Sequence, residues 1–172
     1  GHIHAFLALM ADVGPCWTCL YNGPRCGASA PDHLHFQLVP SGHMPLEEEM
    51  GQEERHRLLK RLGHIRVYSV GGLGRQVVVM EGDDPGLLGE AFVHLLRGLR
   101  KVLGIDVEPM INVAGSYAGG FWRLALFPRR KHRPDVFFKE GDERILVSPG
   151  VVEMGGVLIT PVERDFERLD GP

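Results

Sequence analysis

The chain has 172 residues, 44% of them hydrophobic, with 19 Lys and Arg against 22 Asp and Glu, a net charge of −3 and a pI near 6.3. That length and apolar content suffice for a buried core in one domain or two small ones, and the slightly acidic balance excludes a global basic field that would draw nucleic acid or an anionic membrane. No apolar run approaches the roughly 20 residues of a spanning helix, and the opening residues lack the charged start and cleavage site of a signal peptide, so a cytoplasmic location is the default expectation.

In chain order, "HIHAFLALMADVG" places Ile3, Leu7 and Met10 at helical spacing and stops at a glycine. "CWTCLYN" then reads as a short buried strand, "GPRCGASAPD" as a loop of turn residues, and "HLHFQLVP" as a second strand closed by Pro40. Residues 45–62 are charged and helical in period, a surface excursion. "HIRVYSV" and "RQVVVMEG" follow as strands around "GGLG", which suits a hairpin turn. "PGLLGEAFVHLLRGLRKVLG" is the clearest helix: Pro85 stands at its start, Leu88, Phe92, Leu95, Leu96 and Leu99 form its stripe, and Gly104 ends it. After it, "PMINVAGSY", "FWRLALFPRRKHRP" and "RILVSPGVVEMGGVLITP" read as three strand-like stretches. Strands interrupted by one or two helices predict an α+β fold with an antiparallel sheet.

On a strand, His33, His35 and Gln37 share one face while Leu34, Phe36 and Leu38 share the other. The apolar face would hold the strand to the core, and the imidazoles and amide would face a common space. Upstream, the small residues of "GASAPD" allow backbone N–H groups and the Ser29 hydroxyl to approach an anion closely. Imidazole, amide and backbone donors around one pocket suit a phosphate. Cys16 and Cys19 form a C-x-x-C with Cys26 and His33 downstream, so Cys16, Cys19 and His33 stand as a zinc alternative. Against it, residues three apart on a strand point to opposite faces, which favours small buried hydrophobes.

"YNGPRCGASAPDHLHFQ" resembles the signature of the histidine-triad superfamily, in its nucleotidyltransferase and phosphorylase branch, where the triad reads His-x-His-x-Gln. That branch includes galactose-1-phosphate uridylyltransferase, diadenosine tetraphosphate phosphorylase and GDP-galactose phosphorylase, and the chain also resembles bacterial ATP-adenylyltransferase-like proteins. The likeness extends to "FPRRKHRP" and "SPGVVEMGGVLITP". It implies a histidine-triad-like antiparallel sheet with packed helices, with residues 1–64 as the C-terminal portion of one half carrying the triad and residues 65–172 as a second half. It also implies that His35, in the middle position, is the nucleophile forming a nucleotidyl-histidine, that His33 orients it, and that Gln37 binds phosphoryl oxygens. Gly27, Ala28 and Ser29 of the loop would hold the phosphates, with Asn22 at the Asn-Gly turn.

An amide cannot protonate a leaving group as a third histidine could, which favours transfer to phosphate or a sugar phosphate over hydrolysis. In the basic run 129–133, Arg129 and His132 are the candidates for binding a departing or accepting phosphate. The histidine chemistry itself requires no metal; Zn or Mg would assist phosphate binding, or occupy a structural position. The expected ligands are nucleotides and phosphate-bearing small molecules, with neither nucleic acid nor membrane as partner. The chain enters directly into a helix where the family first supplies base- and ribose-binding strands, so an upstream segment or a second copy in a homodimer is expected to complete the sheet. The alternatives in function are a nucleotide hydrolase of the same type and a nucleotide-binding module without turnover.

Overall fold

The computed structural model describes residues 1–169. Helix α1 (His2–Val13) leads into strands β1 (Trp17–Asn22) and β2 (Gln37–Pro40), a short helix α2 (Pro45–Glu49), and strands β3 (His56–Leu62), β4 (Ile65–Val70) and β5 (Val78–Gly82). Helix α3 (Pro85–Leu103), strands β6 (Ile111–Ala118) and β7 (Phe121–Pro128), and the short helices α4 (Val151–Met154) and α5 (Glu163–Glu167) complete it. The fold is α+β: all seven strands form one antiparallel sheet in the order β2-β1-β6-β7-β5-β4-β3. Strands from both sides of residue 64 therefore share a single sheet.

The two long helices cover one face. In α1, Phe6, Leu7 and Met10 recur at helical spacing and are buried, and the Trp122 indole N–H donates to the Leu7 carbonyl at 3.0 Å, fastening the helix to β7. Helix α3 begins where the Asp84 carboxylate accepts the Leu87 N–H at 3.0 Å, with Pro85 just inside, and ends at Gly104 in the left-handed conformation, φ 64°. Their apolar sides meet Cys19, Ile65, Met80, Val113, Leu124 and Leu126. Because side chains alternate along a strand, Leu20, Tyr68, Val79, Ala114, Ala125 and Phe127 point the other way. That second face is covered by Met44, Leu46 and Met50 around α2 and by Val151 of α4.

Three sequence expectations change. Residues 45–62 are helical only at Pro45–Glu49; His56–Leu62 is an edge strand paired with β4. Gly63 and His64 close a tight hairpin, with Leu62 opposite Ile65 and Gly63 at φ 57°, and the ladder gained with β4 outweighs the helical tendency of this Leu, Lys and Arg run. "RILVSPGVVEMGGVLITP" contains no strand; Pro149, Pro161 and the Gly155–Gly156 pair interrupt any ladder, and Val147 and Val151 anchor the segment instead. "HLHFQLVP" becomes strand only at Gln37, because the ladder with β1 starts at Leu20–Gln37.

Glu81 is wholly buried on the second face, where it accepts from Arg123 Nε at 2.7 Å, from the Tyr68 hydroxyl at 3.0 Å and from the Arg66 guanidinium. Burial pushes its carboxyl up, but the hydrogen bonds from Arg123 and Arg66, the Arg123 charge and the Tyr68 hydrogen bond prevail and hold it below the ordinary glutamate range. Folding thus favours the ionised form. The stabilisation is complete above the unfolded-state value of about 4.3 and is lost as pH falls through the lower folded-state value. Acid unfolding followed by circular dichroism is expected to show a shallower loss of stability in Glu81→Gln than in the unmodified chain; superimposable acid limbs would remove Glu81 from the response.

Candidate functional site

The loop between β1 and β2 folds over the ends of the central strands and is held there by buried polar groups. Cys26 Sγ donates to the Ile111 carbonyl at 2.8 Å, and burial pushes its thiol up to about 11, so it serves as a neutral donor. Gly27 lies at φ 102°, and a Cβ there would stand 2.7 Å from the Gly150 Cα; glycine permits the loop and the segment before α4 to touch. At their junction Asn112, fully buried on β6, donates through Nδ2 to Asn22 Oδ1 at 2.6 Å and to the Cys26 carbonyl at 2.7 Å. Asn22 Oδ1 also accepts the Val151 N–H at 2.7 Å, and Asn22 Nδ2 donates to Gln37 Oε1 at 3.3 Å.

Gln37 itself is exposed. His33 and His35 lie next to one another, ring centroids 5.4 Å apart and planes inclined by 50°. His33 Nδ1 is 3.3 Å from Asp32 Oδ1. His35 Nδ1 is 3.4 Å from the His33 carbonyl. A carbonyl only accepts, so in the neutral ring this contact puts the proton on Nδ1 and the lone pair on Nε2. Phe36 anchors the segment, packing edge-on against Phe6 at 5.0 Å and against Tyr21 at 6.2 Å. Of the side chains expected to share that apolar face, Leu34 and Leu38 are instead exposed.

Of the remaining loop residues, Ala28 lines a small cavity of about 200 Å³ with His33, Leu34, Tyr21, Asn22 and Glu108, while Ser29 is exposed. A larger cavity of about 420 Å³ lies alongside, between α1, α3 and residues 34–36. The sequence contains a sign of Asn112 in the lone amide within the apolar "MINVAG"; Glu108 and Gly150 carried none.

The basic run is placed differently from the triad residues. Arg129 Nη1 donates to Asn112 Oδ1 at 2.7 Å and to the Pro149 carbonyl at 3.0 Å, and Nη2 donates to the carbonyls of His132 at 3.0 Å and Lys131 at 3.3 Å. It is a clamp on backbone, and two asparagines stand between it and Gln37. His132 Nε2 lies 3.0 Å from Ser148 Oγ, and burial, then the charges of Arg133 and Arg129, lower its proton affinity. Arg129, Arg130, Lys131, His132 and Arg133 border a separate cleft of about 500 Å³. Among the described residues no three His, Cys, Asp or Glu side chains gather into a metal-holding group, Cys16, Cys19 and His33 included. Cys19 is buried in the helix-side core, its thiol pushed up to about 11 by desolvation, and Cys16 is exposed. Among the described residues no helix is long and apolar enough to cross a membrane.

A family described as "Domain of unknown function (DUF4922)" matches residues 1–40, the stretch from α1 through β2 that includes His33, His35 and Gln37. A solved structure of a DUF4931 family protein from Bacillus cereus is similar in fold, with a TM-score of 0.52 at 16% sequence identity, over 90% of this chain and 76% of that one. No curated protein matches the chain.

Proposed function

We propose that the chain is a nucleotidyltransferase of the phosphorylase kind, related to the histidine-triad superfamily, which cleaves a nucleoside polyphosphate or nucleotide sugar through a covalent nucleotidyl-histidine on His35. The observation that supports this reading is the His35 Nδ1 contact with the His33 carbonyl, which in the neutral ring puts the proton on Nδ1 and the lone pair on Nε2, the nucleophilic atom. Nε2 attacks the α-phosphorus; the N–P bond forms as the bond from phosphorus to the leaving phosphate oxygen breaks, and Nδ1 keeps its proton. An oxygen of inorganic phosphate or of a sugar phosphate then attacks the same phosphorus, and the N–P bond breaks to release the transferred nucleotide.

Gln37 serves both steps. Its Oε1 is held by Asn22, so its N–H groups are preorganised toward the equatorial phosphoryl oxygens, where charge is concentrated in the transition state. The loop at Gly27 and Ala28 adds close backbone approach to the phosphates, and His33 orients its neighbour. Three free cysteines suit a reducing compartment, so we place the reaction in the cytoplasm.

Intact mass spectrometry after brief incubation with dinucleoside polyphosphates and nucleotide sugars, quenched at alkaline pH, tests the intermediate. A mass increase of one nucleotidyl group that is missing in His35→Ala is the expected result. Nucleotide binding without any such adduct would overturn the reading in favour of a binding module. Gln37→His restores an acid able to protonate a leaving group and is expected to raise hydrolysis relative to transfer by about tenfold or more. Product ratios measured with phosphate present check this, and an unchanged ratio would remove Gln37 from the choice of acceptor.

A further inference from the structure

We infer that the 420 Å³ cavity beside residues 34–36 seats the base of the nucleotide and that the Glu108 carboxylate selects guanine there; the inference rests on the reading that this site handles nucleotides. The cavity has the size of a small-molecule site and mostly apolar walls, including Ile3, Phe6, Phe36, Phe92 and Leu96. A flat aromatic ring system is the ligand such walls accommodate. The cavity shares His2, Tyr21, Leu34 and Glu108 with the smaller cavity that His33, Asn22 and Ala28 also line. The two cavities adjoin, so a ligand seated among the phenylalanines extends toward His33 past Glu108, which borders both.

The chemistry of Glu108 narrows the base. The Tyr21 hydroxyl donates to its Oε1 at 2.7 Å, and burial, reinforced by that bond, holds the Tyr21 phenol far above its ordinary range, so the phenol remains a donor aimed at the carboxylate. Oε2 and the second lone pair of Oε1 are left to accept. A carboxylate offers acceptors alone, and its best partner is a pair of parallel N–H donors. Guanine presents such a pair, N1–H beside the N2 amino group. Adenine and cytosine set an amino group beside a ring nitrogen that accepts, and uracil sets one N–H between two carbonyls, so each turns a lone pair toward the carboxylate. Hypoxanthine keeps N1–H and loses the amino group, which makes inosine monophosphate the stringent probe.

Isothermal titration of the full chain with GMP, IMP, AMP, UMP and 2′-deoxy-GMP tests the assignment. The expected order has GMP about tenfold tighter than IMP, as for one hydrogen bond to a charged group, with AMP and UMP weaker still and 2′-deoxy-GMP equal to GMP. Glu108→Gln is expected to abolish the advantage of GMP over IMP. Tyr21→Phe, which leaves the carboxylate in place, is expected to keep it. Equal affinities for GMP, IMP and AMP in the unmodified chain would overturn the inference, as would a Glu108→Gln variant that still prefers GMP. Loss of affinity on removing the 2′-hydroxyl without loss on removing the amino group would overturn it too, assigning Glu108 to the ribose. A nucleotidyl adduct formed without base preference would defeat this inference and leave the transferase reading standing. GMP preference without an adduct would do the reverse, and no binding of any nucleotide would defeat both.

Discussion

His35→Ala is expected to lower nucleotidyl transfer by about a thousandfold or more while leaving the melting temperature within a degree or two of the unmodified chain. The two halves of this expectation have separate causes. Activity is expected to fall because the variant lacks the ring nitrogen on which the proposed N–P bond forms, the neighbouring His33 ring lying 5.4 Å away, centroid to centroid, with its Nδ1 3.3 Å from Asp32. Stability holds because the described contacts of His35 are one long hydrogen bond to a backbone carbonyl and the neighbouring ring, whereas Phe36 next to it anchors the segment in the core. Initial rates with a responsive nucleotide, set beside thermal unfolding, separate the two. A variant that turns over normally would end the covalent mechanism.

The largest stability effect is expected at a residue that never touches the reacting phosphorus. Asn112→Ala removes two donors and one acceptor from a fully buried position. Asn22 Oδ1 keeps the Val151 N–H, but the Cys26 carbonyl loses the Asn112 donor and Arg129 Nη1 loses its side-chain acceptor. Orphaned buried groups cost about 1–3 kcal/mol each, so a total near 3 kcal/mol and a fall of roughly 10 °C in Tm are expected. Activity should fall as well, since Asn22 positions Gln37. Differential scanning calorimetry provides the check, and a shift under about 2 °C would show that the network contributes little to folding.

How far the sequence reveals this molecule depends on whether the deciding contacts are local. Helix α3 is legible because Asp84, Pro85, the leucine stripe and Gly104 lie within one run of chain. The grouping of His33, His35 and Gln37 is legible from their alternation, yet the strand assigned to them is not, because the ladder begins only where Leu20 supplies a partner for Gln37. "HRLLKRL" carries helix-forming residues and becomes a strand through a hairpin with β4, a contact that local propensity does not contain. The role of Arg129 is likewise non-local. A basic run suggests anion binding, whereas Arg129 is consumed by Asn112 and by carbonyls including that of Pro149, twenty residues on. Glu81 draws its partners from 13 to 42 residues away, and nothing near it in sequence announces them.

The bond from the Val151 amide to Asn22 Oδ1 couples local breathing around residue 151 to the setting of the triad segment. Residues 149–151 are tied to the rest of the molecule through Asn22 and Arg129, and Asn22 in turn sets the orientation of the Gln37 amide. When that distant stretch opens, the Val151 proton becomes free to exchange with solvent, and Asn22 loses one of the bonds that fix it. The exchange of a single backbone proton, more than a hundred residues from the histidines in sequence, therefore also reports on how firmly Asn22 holds the Gln37 amide.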